Sequence, residues 1–244
     1  MSRLTGKTAV VTGGGTGIGL GAAKRFIDEG AFVYIFGRRQ AALDAAVAQL
    51  GPSSRAVAGS VTDLADLDRL YAAVKAERGG IDILFANAGT GTLAPLGEIT
   101  PEQYAETFDA NVKGTVFTVQ KALPLMSAGG SIILTGSTTG EMGTPAFSIY
   151  SASKAAVRNL ARSWAMDLRG TGIRVNVLSP GPTRTELALE VVGEDAMGAL
   201  GAATPLGRMG DPSETGAVAA FLASSDSSFM TGGEVFVDGG LAQV

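Results

Sequence analysis

The 244-residue sequence contains neither cysteine nor histidine. The first absence removes disulfides and thiolate nucleophiles, and the second removes imidazole bases. Together they remove nearly all transition-metal sites, so no metal centre is expected. Whatever chemistry the chain performs must use other side chains. No run approaches the roughly 20 consecutive apolar residues that span a bilayer, which argues against a membrane. No basic stripe or block of like charge accompanies the net charge of −4, which argues against nucleic acid as a partner. MSRLTGK runs directly into TAVVT without the charged segment, apolar stretch and small-residue cleavage site of a secretory signal, so a cytoplasmic location is expected.

What is present is 45% hydrophobic and 17% charged residues with 35 glycines spread through short punctuations, the composition of a compact enzyme with tight turns. Short apolar runs alternate with longer helical patterns throughout, which is the signal of repeated βαβ units and a parallel sheet. Seven strands are predicted, at Lys7–Thr12, Ala31–Phe36, Arg55–Gly59, Ile81–Ala86, Ser131–Gly136, Ile173–Leu178 and Glu234–Val237. Interiors such as ILFA and SIIL show little polar alternation, as expected for a doubly wound α/β sheet covered by helices on both faces. Helices fit Ile18–Glu29, Gln40–Leu50, Leu64–Arg78, Pro101–Met126, Phe147–Leu168 and Pro212–Ala223, with Thr100 and Asp211 as N-caps before first-turn prolines. The length suits a single domain over residues 1–244. Thr183–Gly210 breaks the alternation and reads as a short-helix lid.

Tyr150 and Lys154 in YSASK share a helix face, with Ser137 upstream. An unperturbed tyrosine has a pKa of about 10, so it needs a cation to favour its phenolate, and Lys154 can supply one. The turn TGGGTGIG at Thr12–Gly19 follows a strand and opens a helix, where backbone N–H groups can approach a pyrophosphate. Its spacing, Gly13, Gly17 and Gly19, is not the GxGxxG fingerprint. The second strand ends in FGRR. Gly37 stands where a carboxylate for a ribose 2′-hydroxyl is expected, and Arg38 or Arg39 can instead pair with a 2′-phosphate. NADP(H) is therefore the expected cofactor.

These features resemble the short-chain dehydrogenase/reductase family, in the branch whose glycine motif is TGxxxGxG, over nearly the whole chain. The resemblance extends to NAG at Asn87–Gly89, Asn111 in a long helix, Ser137 after the fifth strand, YSASK, and PGPTRT at Pro180–Thr185. It implies a Rossmann-type domain and a catalytic set of Asn111, Ser137, Tyr150 and Lys154. Tyr150 is then the proton donor to a carbonyl oxygen, Ser137 a hydrogen-bond donor to the same oxygen, and Lys154 the partner of Tyr150 and of the nicotinamide ribose. Asn111 is implied to hold a water linking Lys154 to solvent. The cofactor is implied to lie against Gly13, Gly15, Thr16, Gly17, Ile18, Gly19, Arg38, Arg39, Asn87, Ala88 and Gly89, with Pro180, Gly181, Thr183 and Thr185 at the carboxamide. Two departures stand out. Ser60 occupies the position of an adenine-contacting Asp, leaving the Val61 backbone and a shorter hydrogen bond, and Thr16 stands where some NADP-dependent relatives carry a basic residue.

Substrate information is expected in Thr90–Leu96, Gly140–Ser148 and the lid, where Leu93, Met142, Phe147, Leu187, Leu189, Met197 and Leu200 suit a neutral ketone or its alcohol. Glu141 reads as a solvated loop carboxylate. The leading function is an NADPH-dependent carbonyl reductase, reversible as a secondary-alcohol dehydrogenase. A 3-oxoacyl-thioester reductase shares every motif quoted, and a non-catalytic nucleotide-sensing protein is the alternative outside enzymes. The partner of the leading reading is a small-molecule ketone or alcohol. The resemblance also implies a homotetramer built through the two long helices.

Overall fold

Every position of the first strand, β1 (Thr8–Thr12), is buried, because the two faces of the strand feed two separate cores. Ala9 and Val11 enter one core and Val10 the other. In the computed structural model, which describes residues 2–243, β1 is the third strand of a seven-stranded sheet. The others are β2 (Phe32–Gly37), β3 (Ser54–Ala58), β4 (Ile81–Ala86), β5 (Met126–Thr135), β6 (Arg174–Pro180) and β7 (Glu234–Val237). Their order is β3-β2-β1-β4-β5-β6-β7, and every pairing is parallel.

One face is covered by α1 (Gly17–Asp28), α2 (Gln40–Leu50) and α9 (Pro212–Ala223), through residues such as Phe26, Leu43 and Leu222. The other is covered by α3 (Leu64–Arg78), α5 (Gly114–Ala122) and α6 (Ser148–Asp167), through Leu70, Val119 and Val157. This is the doubly wound Rossmann-type architecture that the sequence pattern predicts. The chain winds outward in opposite directions from β1 and β4, so a crevice opens at the carboxyl ends of the strands.

The predicted helix over Pro101–Met126 is helical as far as Leu125, but not α-helical throughout. It begins as α4 (Pro101–Phe108), with Thr100 and Gln103 forming a reciprocal capping box, and passes through a π-helical turn at Asp109–Lys113 into α5. It stops at a 3₁₀ turn, Leu123–Leu125, where Pro124 lacks the N–H that a further turn needs. Met126 pairs with Ile81 and so belongs to β5, which starts earlier than the expected Ser131 across an irregularity in the ladder. The stretch expected as a lid folds into α7 (Glu186–Val192) and α8 (Glu194–Ala202), separated by Gly193 at φ 90°. No helix among the described residues is long and apolar enough to cross a membrane.

Candidate active site

The carboxyl ends of the strands open into a cavity of ≈ 1300 Å³. At its floor the chain leaves β1 through Gly13, in the left-handed region at φ 65°, and a Cβ there would stand 3.0 Å from Asn87 Nδ2. A Cβ on Gly19 would run into the carbonyl oxygen of Gly13, so the turn folds back on itself as only glycine allows. Gly13, Gly15, Thr16, Gly17 and Ile18 line the cavity at the start of α1, where unpaired N–H groups and the positive helix end favour a pyrophosphate. Gly19 lies beneath them, buried.

The hub that holds this turn to the neighbouring strands is Thr12, a residue that sequence reasoning passes over as an ordinary strand end. Its Oγ1 accepts from the backbone N–H groups of both Asn87 and Ala88, each at 3.0 Å. Asn87 in turn donates from Nδ2 to the Thr12 carbonyl at 3.1 Å and accepts from Thr135 Oγ1 at 3.1 Å. The ends of β1, β4 and β5 are thereby fixed together, and Asn87, Ala88 and Gly89 face the cavity.

Further along, Ser137, Tyr150 and Lys154 line the same cavity. Tyr150 is half-buried on α6, its ring stacked on Phe147 with centroids 4.4 Å apart at 23°. Burial raises the pKa of its hydroxyl, and a hydrogen bond from Ser137 pulls the other way. Ser137 Oγ accepts from Thr139 N at 3.2 Å and Thr139 Oγ1 at 3.0 Å, which leaves its own O–H available to donate. Lys154 is 4% exposed, and burial pushes its pKa down to about 8. Its Nζ donates to the Thr135 carbonyl at 2.9 Å and sits 5.4 Å from the Tyr150 ring centroid. The sequence makes Lys154 the cation that favours the phenolate. In this structure the group that draws the Tyr150 pKa down is Ser137.

Asn111 does not line the cavity. It is buried in the π-helical turn, where Oδ1 accepts from Thr90 N at 2.8 Å and Nδ2 donates to Thr90 O at 2.8 Å and to Ser153 Oγ at 2.9 Å. A Cβ on Gly89 would stand 2.9 Å from Asn111 Oδ1 and 3.5 Å from Lys154 Nζ, so the bare backbone of Gly89 separates the two.

At the other end of the cavity Arg38 is exposed, and Arg39 Nη2 lies 3.4 Å from both Thr16 Oγ1 and Glu186 Oε2. Ser60 and Val61 also line it. The Ser60 N–H is taken by Asp66 at 2.8 Å and its hydroxyl by Thr62 Oγ1 at 2.8 Å, so the shorter side chain is already partnered. Pro180, Gly181, Thr183 and Thr185 border the cavity, anchored by the Thr183–Gly210 bridge and by Thr185 capping α7 through Ala188 N at 3.1 Å.

Residues 13–242 match the family model described as enoyl-(acyl carrier protein) reductase. "Oxidoreductase asL5" of Sarocladium schorii is 68% identical, over 100% of this chain and 99% of its own length. The chain belongs to the short-chain dehydrogenase/reductase family. It is an oxidoreductase of that family, as the glycine turn and YSASK imply. The "NADP-dependent (R)-specific alcohol dehydrogenase" of Lentilactobacillus kefiri is 34% identical, covering 98% of this chain and 97% of the relative. The crystal structure of the 3-ketoacyl-(acyl-carrier-protein) reductase from Brucella melitensis complexed with NADH superposes with a TM-score of 0.91 at 31% identity, covering 98% of this chain and 99% of the other. Short-chain dehydrogenases/reductases use NAD(P)(H), and the residues here fit that cofactor: glycines at 13, 15 and 17 present bare backbone to the cavity at the start of α1, where a pyrophosphate can approach.

The segments expected to hold substrate bring largely apolar side chains to the cavity. Leu93, Met142, Phe147, Leu187, Met197 and Leu200 line it, whereas Leu189 points elsewhere. Leu241, near the C-terminus, contributes a wall that no motif announces. Ala146, at φ 59°, holds the left-handed conformation, and its carbonyl accepts from Ala94 N at 2.7 Å, joining the two expected substrate loops. Glu141 is an exposed loop carboxylate, as the sequence suggests, but it is not free. It is ion-paired with Arg158, which also reaches Glu234 at 2.5 Å, and it does not face the cavity.

Proposed function

We propose that the protein is an NADP(H)-dependent carbonyl reductase, reversible as a secondary-alcohol dehydrogenase, acting on a neutral ketone or its alcohol. The observation that carries this reading is the meeting of Tyr150, Ser137 and Lys154 in one cavity with the glycine turn. When bound, the cofactor supplies or accepts the hydride at the carbonyl carbon. Tyr150 delivers the proton to the carbonyl oxygen, and its raised pKa keeps that proton in place at neutral pH. The O–H of Ser137, which here faces the Tyr150 hydroxyl, stabilises the substrate oxygen as it becomes alkoxide-like. Lys154, with two N–H groups beyond its bond to Thr135, holds the nicotinamide ribose hydroxyls and supports the phenolate. Asn111 acts as a positioning residue, since its side chain is engaged by Thr90 and Ser153. Arg38 and Arg39 hold the 2′-phosphate, a reading supported by the NADP-dependent relative and by Gly37 in place of an acid.

A 3-oxoacyl-thioester reductase is the second reading, supported by the ketoacyl-carrier-protein reductase neighbour. A carrier-bound substrate needs a basic docking patch. The cations that could form one, Lys113, Lys121, Arg158, Arg162 and Arg169, are scattered in sequence, and three are ion-paired: Lys113 with Asp109, Lys121 with Asp68, and Arg158 with Glu141 and Glu234. That favours the free ketone. The experiment is NADPH oxidation against panels of neutral ketones and 3-oxoacyl thioesters. Turnover confined to thioesters would replace the leading reading, and tight cofactor binding with turnover on neither panel would leave a nucleotide-sensing protein. A homotetramer through α4–α5 and α6 is supported by Tyr104 and Met166, which are exposed on these helices. Sedimentation at micromolar concentration tests it, and a monomer would refute it.

A further inference from the structure

The first turn of α7 is seated on the glycine turn. A Cβ on Gly17 would lie 3.1 Å from Thr185 Cγ2, and Thr185 is the N-cap that fixes where α7 begins. The next residue, Glu186, is thereby held on the cavity wall beside the glycine turn. Its carboxylate lies 3.4 Å from Arg39 Nη2, the same nitrogen that reaches Thr16 Oγ1 at 3.4 Å. Glu186, Arg39, Arg38 and Thr16 all line the cavity.

We propose that Glu186 is a specificity-determining residue that competes with the cofactor's 2′-phosphate for Arg39. This rests on the reading of Arg38 and Arg39 as the phosphate site. A guanidinium can bond two anions at once, but here the carboxylate occupies Nη2 and the single positive charge would be shared between two anions that repel at such range. A 2′-phosphorylated cofactor displaces Glu186 from Arg39 and loosens the seat of α7 on the glycine turn. A cofactor with a free 2′-hydroxyl leaves the pair intact. Of the other acids on the cavity wall, Glu106, Asp109 and Glu190, none is paired with Arg38 or Arg39. The competition is thus assigned to one residue, and it sets how strongly the protein discriminates between the two nicotinamide cofactors.

The test is titration of NADPH and NADH into the intact protein by fluorescence or calorimetry, for wild type, Glu186→Gln, Glu190→Gln and Arg39→Ala with and without Glu186→Gln. The pair is exposed on both sides, so Glu186→Gln should tighten NADPH by about two- to five-fold. NADH should be unchanged, and the gain should shrink as salt is raised. Glu190→Gln should not alter the ratio, and Arg39→Ala should abolish the effect of Glu186→Gln. Equal shifts for both cofactors, no shift, or a gain that survives in the Arg39→Ala background would overturn the proposal. The wild-type ratio separately tests the NADPH preference: even an NADH-preferring wild type would report the Glu186 effect on its weaker NADPH binding.

Discussion

A Cβ on Gly91 would stand 2.6 Å from Cδ2 of Tyr150 and 3.1 Å from its Cγ, so the ring lies where only a glycine permits it. The stack with Phe147 limits how far the ring can yield. Gly91→Ala should displace the phenol by a fraction of an ångström and lower kcat by about ten- to a hundred-fold, with the cofactor Kd unchanged. Gly143→Ala is the control, since it lines the same cavity and a Cβ there meets nothing within 4 Å. Steady-state kinetics with a responsive ketone decide it, and equal effects of the two substitutions would reject the steric explanation.

How legible the site was in the sequence follows from where its determinants lie. Tyr150, Lys154 and the glycine turn are local patterns with a physical meaning at fixed spacing, and the strands around them announce themselves as apolar runs. Gly91 was not legible, because its importance is an approach to a ring 59 positions away. Thr12 looked like any strand residue until two backbone N–H groups from β4's end were brought to it. The π-helical turn around Asn111 leaves the helical periodicity almost intact, so it could not be read from the pattern. The ion pair of the exposed Glu141 was not legible because its partner, Arg158, comes from a different element.

Removing the Thr12 hydroxyl without changing its shape isolates that hub. Thr12→Val leaves the Asn87 and Ala88 N–H groups without their acceptor and should destabilise the fold by about 1–3 kcal/mol. Denaturant titration measures it, and stability within about 0.5 kcal/mol of wild type would count against the hub.

Lys154 is buried with a carbonyl as its hydrogen-bond partner, and its pKa falls to about 8. The unfolded lysine titrates near about 10.4. Between those values the unfolded chain binds the extra proton, so stability rises with pH across that window, and the cost of burying the charge is fully present below about 8. Lys154→Met should therefore stabilise the protein by about 1–3 kcal/mol at pH 7. The advantage should shrink towards pH 10 while turnover is lost. Chemical denaturation of both proteins at the two pH values tests this, and a pH-independent difference would refute it.

The arginines of FGRR have a separable signature. Arg38→Ala and Arg39→Ala should each raise the NADPH KM by about ten- to a hundred-fold, as expected for lost charge-assisted hydrogen bonds, with little change for NADH. Parallel kinetics with both cofactors test it. Losses of equal size for the two would mean that neither arginine meets a 2′-phosphate.

The most direct measurement is turnover of Tyr150→Phe in NADPH oxidation with a ketone that wild type reduces. The substitution keeps the ring, its stack on Phe147 and its fit against Gly91, and removes only the hydroxyl. A loss of about 10²- to 10⁴-fold in kcat with unchanged NADPH Kd is expected if this phenol delivers the proton. Undiminished turnover by Tyr150→Phe would contradict it.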